Sequence, residues 1–184
     1  KISNANTRYS YSKEILGTPL SQYSMDEDMG GNFRIVTSIS SWSGGVNNSS
    51  TNLSIIGSSG NLIGSLSWIA AWENFQSSRF IGNRLYLVTF EQIDPLFVID
   101  LSDVKNPRIL WELKIPGYST YLHPYDADRL IGIGYDTKTN KWGGTQNTGI
   151  KVDLYNVRDV KNPTREASIA LGDMGSSSDA LWNP

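Results

Sequence analysis

Asp103-Val104-Lys105-Asn106-Pro107 returns as Asp159-Val160-Lys161-Asn162-Pro163, and this repetition decides the fold. The copies lie 56 residues apart (159 − 103). Before each stands an apolar stretch, Leu96-Phe97-Val98-Ile99-Asp100-Leu101 and Lys151-Val152-Asp153-Leu154-Tyr155-Asn156. After each comes an alternating one, residues 109–115 and 165–171. Further upstream, Asn83-Arg84-Leu85-Tyr86-Leu87-Val88 matches Asp128-Arg129-Leu130-Ile131-Gly132-Ile133 at a spacing of 45 (128 − 83). The two spacings differ because residues 136–149 read as a longer loop than residues 92–95. A degraded third copy covers residues 32–66, and residues 177–182 read as the opening strand of a further unit.

No stretch sustains apolar residues at helical spacing, whereas short apolar runs recur between turn residues, as in a chain of strands. Four strands per unit at about 40–45 residues is the period of a propeller blade. The expected fold is all-β: blades of four antiparallel strands forming a partial propeller of about three and a half blades. They lie approximately at residues 20–68, 75–115 and 119–171, with residues 177–182 opening another. The second and third strands of each unit are apolar on both faces, as a sheet covered by two neighbours requires. The fourth alternates, placing Ile109, Trp111, Leu113 and Ile115 on one face and Glu112 and Lys114 on the other, as an outer strand in water does. In the repeated corner, the Asp103 carboxylate is placed to accept from backbone N–H groups two residues on, and Pro107 ends the pairing.

The stretch from Tyr86 through Pro107 resembles a family of secreted proteins with a C-terminal β-propeller distantly related to WD40 repeats. Residues 112–126 resemble it too, as do Leu20-Ser21-Gln22-Tyr23-Ser24-Met25-Asp26-Glu27 and Phe33-Arg34-Ile35-Val36-Thr37. The resemblance implies an exported or cell-surface propeller, and it implies no reaction. It also implies that this chain is part of a longer ring. The departures from the family pattern are the long polar loop at residues 40–51 and the irregular residues 1–16.

Composition narrows the function classes. With 16 basic and 18 acidic residues the formal charge is −2, and no basic stripe suits nucleic acid. The absence of cysteine and a single histidine remove disulfide frameworks, thiol catalysis and Cys/His zinc sites. Apolar runs fall short of the roughly 20 residues that span a bilayer. Low charge with many Ser, Asn, Thr and aromatic residues suits a secreted or cell-surface β-protein.

The sequence lacks the G-x-S-x-G, P-loop and H-E-x-x-H patterns. Catalysis would have to use His123 with Tyr125 and Asp126 on an innermost strand. Asp26, Glu27 and Asp28 bring together oxygen ligands of the kind calcium takes, although the same residues suit an ordinary hairpin. Tyr118, Tyr121, Trp142 and Trp182 are aromatics able to stack on a sugar or a partner protein. Asn47, Asn48 and Asn52 each begin an N-x-S/T sequon. The leading expectation is a non-catalytic extracellular module that binds protein or glycan through its loops and channel mouth. The alternatives are an extracellular hydrolase or lyase built around His123, and a structural propeller holding calcium. Bare blade faces at either end would expose apolar surface, so the expectation is either that two copies close a ring as a homodimer or that the chain is a fragment of a longer protein, with a compact four-bladed ring as a less favoured third option.

Overall fold

A computed structural model describes residues 9–91 and 94–182. Among these residues the chain is all-β, with three antiparallel sheets of four strands and one small hairpin. The first sheet holds β1 (Met25–Glu27), β2 (Phe33–Ile39), β5 (Ser50–Ile56) and β6 (Leu62–Ile69). Between its second and third strands lies the hairpin of β3 (Trp42–Ser43) and β4 (Val46–Asn47). The second sheet runs β7 (Asn74–Ile81), β8 (Arg84–Phe90), β9 (Asp94–Asp100) and β10 (Arg108–Ile115). The third runs β11 (Tyr118–Pro124), β12 (Arg129–Thr139), β13 (Thr145–Asn156) and β14 (Thr164–Leu171). Each sheet is a meander in chain order, the form of a propeller blade, and together they make a partial propeller. No helix among the described residues is long and apolar enough to cross a membrane.

The core is two layers, one between each pair of neighbouring blades. Val36, Leu53 and Ile55 of the first blade meet Leu85, Leu87, Phe97 and Ile99 of the second. From the other face of that second blade, Tyr86, Val88, Leu96 and Val98 meet Leu122, Leu130 and Tyr155 of the third. Strand side chains alternate between faces, so β8 and β9 serve both layers only because nearly every position is apolar. On β13, by contrast, Lys151, Asp153 and Tyr155 are buried while Ile150, Val152 and Leu154 are half-buried, since none of the described blades covers their face.

The repeated corner fits these layers. Asp103 Oδ1 accepts from Lys105 N at 3.0 Å, and Asp159 Oδ1 from Lys161 N at 3.0 Å. Val104 and Val160 plug into the two core layers. The Val104 carbonyl passes so close to β6 that a Cβ at Gly64 would lie 1.9 Å from it. Only glycine permits that approach.

Four expectations are corrected. Residues 40–51 are not a plain loop, because Gly44 and Gly45 at φ +61° and +81° turn the β3–β4 hairpin with both central residues left-handed. Residues 136–149 are mostly a ribbon extending β12 and β13, turned where Asn140 Oδ1 accepts from Trp142 N and Gly144 N. The alternation of the fourth strands fails. A bulge between Ile109 and Trp111 breaks the phase of β10, leaving both exposed, and all eight positions of β14 are exposed. Residues 177–182 carry a 3₁₀ turn, Asp179–Leu181, capped by Ser178, with Leu181 buried. A strand there would need a sheet neighbour to complete its ladder.

The crossing from the first blade to the second is strained. Trp68, Ala70 and Trp72 have φ of +60°, +48° and +70°, each costing about 1–2 kcal/mol in a non-glycine residue. Trp68 N donates to Asn52 Oδ1 at 3.1 Å and Trp72 N to the Ser49 carbonyl at 2.8 Å, holding the step in place.

Candidate functional site: the inner-strand mouth

The second and third blades touch along their first strands. Ser77 on β7 donates to the Ser119 carbonyl on β11 at 2.7 Å, and Arg79 Nε donates to the Leu122 carbonyl at 2.8 Å. A short 3₁₀ turn, Gln22–Ser24, sits against β7 from the other side. Ser21 caps that turn, accepting from Tyr23 N at 3.2 Å. Ser78 ties it down, its Oγ lying 3.3 Å from the Tyr23 carbonyl and 3.4 Å from Ser24 Oγ. Leu181 and Trp182 close the group from the C-terminal side.

These pieces line a half-open cavity of about 590 Å³. Tyr23, Tyr121 and Trp182 supply aromatic walls, and Gln22, Gln76, Ser77, Ser78 and Thr120 supply neutral polar groups. No Asp, Glu, His, Lys or Arg is among the described residues lining it. The Tyr23 and Tyr121 rings lie 5.5 Å apart at 55°. Arg79 packs its guanidinium 3.9 Å from the Tyr23 ring centre and 5.2 Å from that of Tyr121, outside the cavity wall. Such cation–π packing fixes the two rings as one unit. Among the described residues this wall therefore offers aromatic faces and neutral hydrogen-bonding groups.

Of the candidate aromatics, Tyr121 and Trp182 line this mouth, whereas Tyr118 and Trp142 do not. Tyr118 packs 4.4 Å from Phe90 and 5.5 Å from Tyr135. Trp142 stands exposed at the tip of the β12–β13 ribbon, with Lys141 over its ring at 5.0 Å.

His123, Tyr125 and Asp126 do not form a relay. The exposed His123 ring meets Tyr121 Oη at 3.0 Å through Nδ1. Asp126 instead accepts from Asp128 N at 2.8 Å and Arg129 at 3.2 Å. That backbone N–H, with Arg129 beside it, holds the Asp126 carboxyl below the usual carboxylate range. Tyr125 is exposed.

At the β1–β2 turn, Asp26 pairs with the buried Arg34. Asp28 accepts from Gly30 N at 2.8 Å and from the backbone and side chain of Asn32, both at 2.9 Å. Desolvation pushes its carboxyl up, but the Asn32 bonds outweigh that and hold it below its ordinary value. Glu27 is exposed beside them. Two of the three proposed calcium ligands are thereby engaged in the ion pair and the turn.

Of the sequon residues, Asn47 lies on β4 and Asn48 is half-buried, its N–H donating to the Ser41 carbonyl at 2.8 Å. Asn52 is inside β5 with its Nδ2 buried, so its amide is not presented on a loop.

Sequence reasoning missed Gln22, Tyr23, Gln76 and Arg79. Nothing local marks them, because the turn bearing Tyr23 reaches Ser78 across 55 residues.

The chain matches the β-propeller domain family over residues 1–184. It is 39% identical over 152 residues to an uncharacterized protein of Methanocaldococcus jannaschii, covering 83% of this chain and 23% of that relative. A second uncharacterized protein, from Archaeoglobus fulgidus, is 31% identical over 149 residues, covering 81% of this chain and 21% of the relative. The chain therefore spans less than a quarter of the length of these relatives. With its three meander blades and a family match along its whole length, this chain belongs to the β-propeller domain family.

Proposed function

We propose that the chain is a non-catalytic binding module, displayed outside the cell, that holds its ligand at the inner-strand mouth. The observation that carries this reading is the cavity of about 590 Å³ walled by Tyr23, Tyr121 and Trp182 with neutral polar side chains between them. Its size falls in the range of about 300–1,000 Å³ typical of small-molecule sites, and so does its mixture of aromatic and convergent polar groups. A wall without carboxylate, imidazole or amine supports binding over proton transfer, which needs a titratable group within hydrogen-bond reach of the ligand. Low charge and abundant Ser, Asn and Thr support the extracellular placement.

Chemical-shift mapping of the amide-labelled chain against mono- and oligosaccharides, amino acids, nucleotides and short peptides tests the site. Shifts should gather at Tyr23, at Gln76–Ser78 and at Thr120–Leu122. Shifts confined to the β12–β13 ribbon around Trp142, or to His123–Asp126, would overturn the assignment.

A further inference from the structure

Which ligand class suits the mouth follows from what its wall can and cannot satisfy. A charged ligand would give up hydration and meet no opposite charge, a cost that only an ion partner offsets. Arg79, a cation behind the two rings, is already packed on Tyr23 and Tyr121, with its Nε on the Leu122 carbonyl. A wholly apolar ligand would cover the carboxamides of Gln22 and Gln76 and offer them no partner, and polar groups covered without a hydrogen bond are costly. What remains is a neutral molecule that carries both donors and acceptors, and also an apolar face for the rings.

We propose that the mouth binds a neutral oligosaccharide, a reading that rests on the mouth being the ligand site. Sugar hydroxyls both donate and accept, as do carboxamides and Ser or Thr hydroxyls, so each pairing can be satisfied in either direction. The C–H face of a pyranose supplies the apolar surface that Tyr23, Tyr121 and Trp182 offer to cover. Arg79 acts as a positioning residue, holding two of those rings at a fixed tilt so that little ordering is required when the sugar arrives. The volume accommodates more than one sugar ring.

The test is isothermal titration of the folded chain with neutral di- and trisaccharides of gluco-, galacto-, manno- and N-acetylglucosamine type, with amide shifts followed in parallel. At least one should saturate with a single site per chain and shift the amides of Tyr23, Gln76 and Tyr121. Gln76→Leu keeps the side-chain bulk and removes one donor–acceptor pair, so it should weaken binding about tenfold. Tyr121→Ala should weaken it at least as much, whereas Trp142→Ala should leave it unchanged. Amide spectra of each variant separate lost binding from lost fold. If none of the saccharides binds, or if a charged ligand or a peptide shifts the mouth amides instead, the saccharide assignment falls while the site stands. Saccharide binding that survives Gln76→Leu and Tyr121→Ala but is lost in Trp142→Ala would overturn the mouth itself.

Discussion

A polar strip runs through the otherwise apolar layer between the second and third blades, and its energetics can be worked out from geometry. Lys151, Asp153 and Tyr155 alternate along β13, so all three point into that layer, and each is at most 1% exposed. Lys151 Nζ lies 3.0 Å from Asp153 Oδ2 and donates to the Pro116 carbonyl at 2.9 Å. Tyr155 Oη donates to the same carboxylate oxygen at 2.9 Å and lies 3.2 Å from Ser119 Oγ. The other oxygen, Oδ1, has no hydrogen-bond partner, and Arg165 stands 3.7 Å away. Removing one member of a buried pair leaves an uncompensated charge and costs about 3–5 kcal/mol, whereas replacing both with apolar groups of similar volume is nearly neutral. Lys151→Met and Asp153→Leu should therefore each cost about 3–5 kcal/mol. For a chain of this size that lowers Tm by about 6–20 °C. The double variant should come back to within about 2 kcal/mol of the parent, a coupling that only a dry, mutually dependent pair produces. Urea denaturation followed by tryptophan fluorescence measures all four species. Single variants costing under about 1 kcal/mol, or a double variant costing the sum of the two, would mean that water reaches the pair and that the blades do not seal against each other.

Three further outcomes are expected from other parts of the molecule. Gly64→Ala drives a Cβ to 1.9 Å from the Val104 carbonyl, so it should cost at least the 1–3 kcal/mol typical of overpacking, roughly, read as a lower urea midpoint at unchanged slope. Burial pushes the Glu73 carboxyl above its ordinary value, with Glu112 and Glu91 adding to the shift against the Thr89 hydrogen bond. A raised folded-state value means stability that is present below the unfolded value and lost as pH rises through the folded one. Glu73→Gln should accordingly flatten the decline of Tm with rising pH across the carboxylate range, and an unchanged pH profile would contradict this. On the face of the third blade turned away from the second, Ile131, Val152, Leu154 and Ile169 line a groove of about 810 Å³, which the homodimer expected from the sequence would bury. Light scattering behind size exclusion should give a mass of two chains for the parent and one for Val152→Glu; a parent that stays single would remove the homodimer.

The architecture was legible because blade chemistry is local. Asp103 and Asp159 cap their corners from two residues away, and apolar runs such as Leu96 to Leu101 announce a strand covered on both faces. The polar strip was not legible. Residues 151–156 read as an apolar strand, since the room for this strip comes from glycines elsewhere in the sheet: a Cβ at Gly117 would press on the Lys151 chain at 3.1 Å. A Cβ at Gly132 would meet Ser119 Oγ at 2.5 Å and Tyr155 at 2.7 Å, and one at Gly134 would meet the Tyr118 carbonyl at 1.8 Å. The mouth was half legible: Tyr121 and Trp182 stood out as aromatics, but Tyr23, Gln76 and Arg79 become neighbours only when blades stack. The alternation expected for the fourth strands failed through a bulge on β10 and through the bare face beyond β14, neither of which leaves a pattern in composition.

Everything proposed for the mouth depends on the Gln22–Ser24 turn meeting the first strand of the second blade. Ser24 Oγ and Ser78 Oγ lie 3.4 Å apart although 54 residues separate them in the chain, and the sequence contains no cysteine to compete. Ser24→Cys combined with Ser78→Cys should therefore form one intrachain disulfide on mild oxidation of the folded protein. Closing a loop of that length restricts the unfolded chain by about 4 kcal/mol, so Tm should rise on oxidation and fall back on reduction. Thiols that stay free in the folded chain, or that link only between molecules, would show that the turn and β7 do not meet and that the mouth does not exist as described.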